Sequence, residues 1–176
     1  MELRPELILT TVIKSLGDNV IPAIDPDNAP ARQQAQLSIA LLEILKSRLP
    51  LMYRYDRHDL KSFVELGETL ASSGSNKEAT RNIERLCSEA RELLGRARAD
   101  PGEMLERSKD LRRAISVYVD DVRETGDEHT ALKVDRIVVA SAEELTLRER
   151  AWMLPFGFEA DPAIVPDLET LLDPVR

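Results

Sequence analysis

Residues Asn76 to Thr125 read NKEATRNIERLCSEARELLGRARADPGEMLERSKDLRRAISVYVDDVRET. Within this stretch Ile83, Leu86, Cys87, Ala90, Leu94 and Ala97 recur at steps of three and four, and the positions between them are mostly charged. After Asp100-Pro101-Gly102 the same spacing returns in Met104, Leu111, Ile115, Tyr118 and Val122. That periodicity is one face of an amphipathic α-helix written twice. The break carries its own signals: an aspartate able to cap, and a proline suited to a first helical turn. The stretch is therefore a helical hairpin, and its apolar stripe needs further helices to cover it.

The flanking sequence supplies them. Pro5 opens a helix to about residue 21 with Leu9, Val12, Ile13, Leu16 and Val20 on one side. Gly17-Asp18-Asn19 loosens its last turns and Pro22 limits it. Asn28 is placed to cap a second helix, 29–49, in which Ala35, Ile39, Leu42, Leu45 and Leu49 form a stripe. Leu41 and Ile44 widen that stripe, so this helix is expected to be the most buried. Pro50 ends or kinks it, and 51–55 is open to an extended reading. A third helix is expected at 57–72, followed by a Ser72–Ser75 loop. Beyond Gly126-Asp127 a helix runs 128–140. Its Ile137-Val138-Val139 run is β-branched, and Ser141 with Glu144 matches a capping box, so either a new helix starts at 142 or one helix continues to Pro155. Pro155, Pro162, Pro166 and Pro174 leave 155–176 as a Pro-rich acidic arm, with room for a short helix near 167–172. The expected fold is all-α: an antiparallel bundle of five to seven helices in a single domain, 1–176.

Composition narrows the function classes. The chain has 176 residues, 43% hydrophobic and 32% charged, the mixture of a folded soluble protein. The net charge is −8; residues 76–125 balance 11 basic against 11 acidic groups, and 126–176 hold 5 against 11. No basic stripe exists to neutralise phosphates, which argues against nucleic acid and anionic membrane surfaces as partners. A lone cysteine permits no internal disulfide, and the first residues show no secretory pattern, so a cytoplasmic location is expected.

Candidate chemistry is thin. His58-Asp59 spells the centre of an HD-type metal phosphohydrolase motif, but no histidine precedes His58 to complete the ligands. His129 is followed four residues later by Lys133, not three as in histidine phosphotransfer domains. Neither histidine has a glutamate three residues earlier, as a di-iron bundle requires. No catalytic residue, metal ligand or cofactor is assigned. Two clusters remain. Arg54, Tyr55, Arg57 and His58 could hold an anion, since arginine offers a planar donor fork, or Asp56 or Asp59 could simply cap the next helix. Trp152, Phe156 and Phe158 gather the large aromatics, for the core or for a subunit interface. The first expectation is a non-enzymatic interaction or accessory protein that pairs with itself, as a homodimer, or with another protein. The alternative is a binder of small anions, or an enzyme, with a cavity near Arg54–Asp59.

Overall fold

In a computed structural model the protein is described over residues 4–73 and 77–172. Among these residues there is no strand. Six helices of 11 residues or more, α1 (Pro5–Ser15), α3 (Ala29–Arg48), α4 (Met52–Ala71), α5 (Lys77–Gly95), α6 (Pro101–Thr125) and α7 (Glu128–Met153), make an all-α multi-helix bundle. Two short helices, α2 (Ile21–Ala23) and α8 (Leu168–Leu171), complete it. The chain divides into two compact units. One comprises residues 1–52 with 152–165, the other 53–151 with 166–176.

The second unit holds the hydrophobic core. Asp100 caps α6, its carboxylate accepting from the Glu103 N–H at 3.0 Å, as the Asp-Pro-Gly break implies. α5 and α6 run antiparallel, shown by Arg96 meeting Glu103 and Arg107 meeting Glu89. The stripe read from the sequence is buried except near the break: Ile83, Ala90, Met104, Leu111, Tyr118 and Val122 are fully enclosed, Leu86, Cys87 and Ile115 nearly so, while Ala97 is exposed past the end of α5 and Ala99 is buried instead. Leu94 lies at the edge and Leu93 takes the buried position. α4 adds Leu60, Val64 and Leu70, and the Tyr118 hydroxyl donates to the Leu70 carbonyl at 3.1 Å. Gly67 permits the close approach of α4 and α5: a Cβ there would stand 2.8 Å from Cys87 Sγ and 3.1 Å from Ile83 Cγ2.

Cys87 lies in this core with Sγ 3.6 Å from the Val64 carbonyl. Burial, with Glu68 adding a smaller push, raises the thiol to about 11 from an ordinary value near 9. A raised value in the folded state means the stabilisation is complete below pH ~9 and is lost as pH climbs towards ~11. Wild type should therefore lose stability relative to Cys87→Ala over that window, and the native thiol should resist a disulfide reagent at pH 8. Rapid labelling of the folded protein at that pH would contradict the burial.

The helix boundary at Pro50 differs from expectation, and α7 takes one of the two courses the sequence left open. α4 begins at Met52, so 51–55 is not extended. Pro50 sits in a single 3₁₀ turn, Leu49–Leu51, where its missing N–H costs nothing, and no strand partner exists among the described residues. Asp56 and Asp59 consequently lie inside α4 and cap nothing. α7 is one helix through Ser141, because no glycine or proline interrupts 128–154 and β-branching alone costs only tenths of a kcal/mol per residue. The Ser72–Ser75 loop lies partly outside the described residues, as does Pro174 in the arm.

The remaining departure concerns the first unit. α1 passes through a π-helical turn, Leu16–Val20, at the Gly17-Asp18-Asn19 site before α2 ends the run. The Asn28 side chain caps α3 by accepting from the Ala31 N–H at 3.2 Å. α1 and α3 pack together, with Ile39 Cδ1 4.0 Å from where a Cβ on Gly17 would lie. Yet α3, expected to be the most buried helix, has no buried residue. α1, α2 and the short turns that pack on α3 cover one side of it, and its apolar pattern extends around a second.

Candidate functional site

Four residues singled out in the sequence, Arg54, Tyr55, Arg57 and His58, fall within little more than one turn of α4, with Tyr55 about 100° around the helix from Arg54. Arg54 and Tyr55 meet different neighbours. Arg54 fastens the end of the chain: Nη2 donates to the carbonyls of Glu169 (3.3 Å) and Leu172 (3.1 Å), and Nη1 lies 3.8 Å from Glu169 Oε2. Those carbonyls close α8, whose other end is capped by Asp167 accepting from the Glu169 N–H at 2.8 Å. Leu168 and Leu172 are buried, so this part of the Pro-rich arm is ordered. Tyr55 lies with its ring 5.7 Å from the Arg148 guanidinium, and burial raises its hydroxyl above the ordinary tyrosine value. Arg57 and His58 are half-buried.

The residue that organises this region is Asp59. Its side chain is 10% exposed and meets two arginines from distant helices. Arg112 of α6 donates through Nη2 to Oδ1 (3.2 Å) and Oδ2 (3.1 Å). Arg148 of α7 donates through Nη2 to Oδ1 (3.2 Å) and through Nη1 to Ser62 Oγ (3.1 Å). Arg148 is 4% exposed at its side chain, and among the described residues its buried Nε meets no acceptor. Arg112 stacks over Phe63 with 4.5 Å between guanidinium and ring centre. Burial, and then the neighbouring Asp59 charge, push the Asp56 carboxyl above its ordinary range. Two guanidinium charges are thus shared by one enclosed carboxylate.

Beside this triad is a cleft of about 550 Å³ between α4, α6 and α7. Arg112 and Arg148 both line it, with Ser62, Ser116 and Ser141 as further polar groups, and Leu66, Ile115, Ile137, Val138 and Leu145 as apolar wall. Glu65 and Glu144 are its exposed acidic edge, and Glu65 pairs with Lys61 at 3.7 Å. None of Arg54, Tyr55, Arg57 or His58 lines it. The expected neighbourhood holds a cavity, but Arg112 and Arg148 supply its charge. The sequence signal for these residues is indirect. Val134, Val138, Ser141, Leu145 and Arg148 follow steps of three and four, as do Asp59, Phe63, Leu66 and Leu70, so each charge sits where the apolar stripe calls for a hydrophobe.

The chemistry available is electrostatic. Arginine does not release its proton at neutral pH, and the buried Cys87 thiol is held away from ionisation. Among the described residues no group of three His, Cys, Asp or Glu side chains is placed to hold a metal ion, and no helix is long and apolar enough to cross a membrane.

The aromatic cluster divides. Arg48 of α3 donates through Nε to the Trp152 carbonyl at 3.1 Å, with its guanidinium 5.8 Å from the indole. Phe156 and Phe158 stack at 6.2 Å between ring centres across Gly157, whose φ of 73° closes the turn in the left-handed region. Trp152 and Phe156 are half-buried, and Phe158 is 83% exposed. Comparison with protein families, with curated proteins and with solved structures finds no match in any of the three.

Proposed function

We propose that this is a cytoplasmic, non-enzymatic interaction protein that forms a homodimer by pairing its N-terminal helices, α1 and α3, with those of a second copy. The observation that carries the reading is the outer stripe of α3. Leu37, Leu41 and Leu45, at steps of four, are 51%, 54% and 45% exposed, while Ala35, Ile39 and Leu42 are half-buried. A helix apolar around both faces is normally enclosed on both. Ile8 and Val12 on α1 are also exposed, and contiguous exposed apolar surface marks association sites.

A second copy suits this surface better than a charged partner. Residues 4–52 hold five basic and five acidic groups, and 33–42 hold none, so two such faces do not repel each other. Two helical pairs brought together make a four-helix arrangement with a shared core. α3 is about 30 Å long and two helices side by side are about 20 Å wide, a face on the order of 600 Å². That approaches the ~800 Å² each partner contributes to a stable interface. The exposed Phe158 belongs to the same unit and is available to the same contact.

Sedimentation equilibrium tests the reading. Wild type should give twice the 19.8 kDa chain mass at micromolar concentration, with little dependence on salt. Leu37→Glu with Leu41→Glu should give the single-chain mass at unchanged helical content. A monomeric wild type, or a variant that still dimerises, would overturn it.

A further inference from the structure

The cleft between α4, α6 and α7 is independent of self-association, since all its lining residues belong to the second unit. From it we infer a binding site for a small apolar molecule bearing one carboxylate. Three observations converge. The volume, about 550 Å³, is that of a ligand pocket, and its walls are aliphatic with a few polar groups placed among them. Two arginines line it, and the one carboxylate they share, Asp59, already accepts from both. Arg148, enclosed to all but 4% of its side chain, keeps a buried Nε–H with no acceptor among the described residues. A buried donor without a partner is unfavourable, and Asp59 offsets only one of the two guanidinium charges that line the cleft, which favours uptake of an anion beside the half-exposed Arg112. A ligand carboxylate between Arg112 and Arg148 offsets the second guanidinium charge.

The rest of the lining defines the ligand. Phe63 and Leu66 on α4, Ile115 on α6, and Ile137 and Leu145 on α7 ask for a hydrocarbon body. Glu65 and Glu144 at the exposed edge repel any second negative group, so a polyphosphate or dicarboxylate is disfavoured and a monoanion is selected. Ser116 and Ser141 can donate to the carboxylate or to a polar substituent along the chain.

Decanoate is a suitable probe, with decanol, inorganic pyrophosphate and two variants as its controls. Calorimetry on the full chain, below the micelle concentration, should show saturable binding of decanoate, at least tenfold weaker binding of decanol, and none of pyrophosphate. Arg112→Gln changes a half-exposed side chain and should weaken decanoate about tenfold with the fold intact. Ile137→Trp fills the cleft and should abolish binding. Wild type that ignores decanoate would overturn the proposal, as would decanol binding equally well. Retention of binding in a folded Ile137→Trp protein would place the ligand elsewhere and equally overturn it, whether or not the protein dimerises.

Discussion

Asp59→Ala should destabilise the protein by about 3–5 kcal/mol, the cost of leaving a buried charge without its partner. Arg148 is enclosed on α7, with Asp59 Oδ1 at 3.2 Å as its carboxylate partner, and Ser62 Oγ offers a neutral oxygen in its place. Arg112 loses both of its Asp59 contacts as well, but it is half-exposed, and water can solvate it. The large effect thus comes from Arg148. Double substitution separates the causes: Asp59→Ala with Arg148→Met removes the stranded charge, so it should be distinctly less destabilised than the sum of the two single changes. Urea denaturation of the four proteins reads this out. A cost of under 1 kcal/mol for Asp59→Ala would mean that water reaches Arg148 and that the triad is not enclosed.

Leu111→Ala should cost about 2–5 kcal/mol, the usual range for emptying a leucine site in a rigid core. Leu111 is fully buried on α6, and its Cδ2 lies 3.9 Å from where a Cβ on Gly67 would stand, so it packs where side chains of α5 and α6 meet the Gly67 position of α4. Collapse there is resisted because Cys87 and Ile83 already press against Gly67. A protein of this size loses roughly 2–4 °C of Tm per kcal/mol, so a shift on the order of 10 °C is expected by calorimetry. A Tm unchanged by the substitution would show that the stripe read from the sequence is not the core.

These two residues also mark what a sequence makes visible. Leu111 was legible because its information is periodic and local: charged residues alternate with apolar ones at helical spacing over 50 positions, and Asp100-Pro101-Gly102 marks the turn. Asp59, Arg112 and Arg148 were not legible as a group, since 53 and 89 positions separate Asp59 from its two partners. Each alone reads as a solvated charge, and only its place on an apolar stripe hints otherwise. The Arg54–His58 cluster is the opposite case. Adjacency in sequence suggested a common site, and helix geometry turned the side chains to different neighbours, Arg54 to the α8 carbonyls and Tyr55 to Arg148. In α3 a wide apolar face goes with no buried residue, because hydrophobic width shows only how much surface requires a partner.

Whether a second copy provides that partner is tested most directly by hydrogen exchange measured across a dilution series. If the N-terminal helices gain their cover by dimerisation, amides of residues 33–48 should exchange faster as the protein is diluted from about 100 μM to below the dissociation constant. Amides of 104–122, within the core of the second unit, should exchange at rates independent of concentration. Protection of 33–48 that stays constant over the whole series would contradict the proposed dimer.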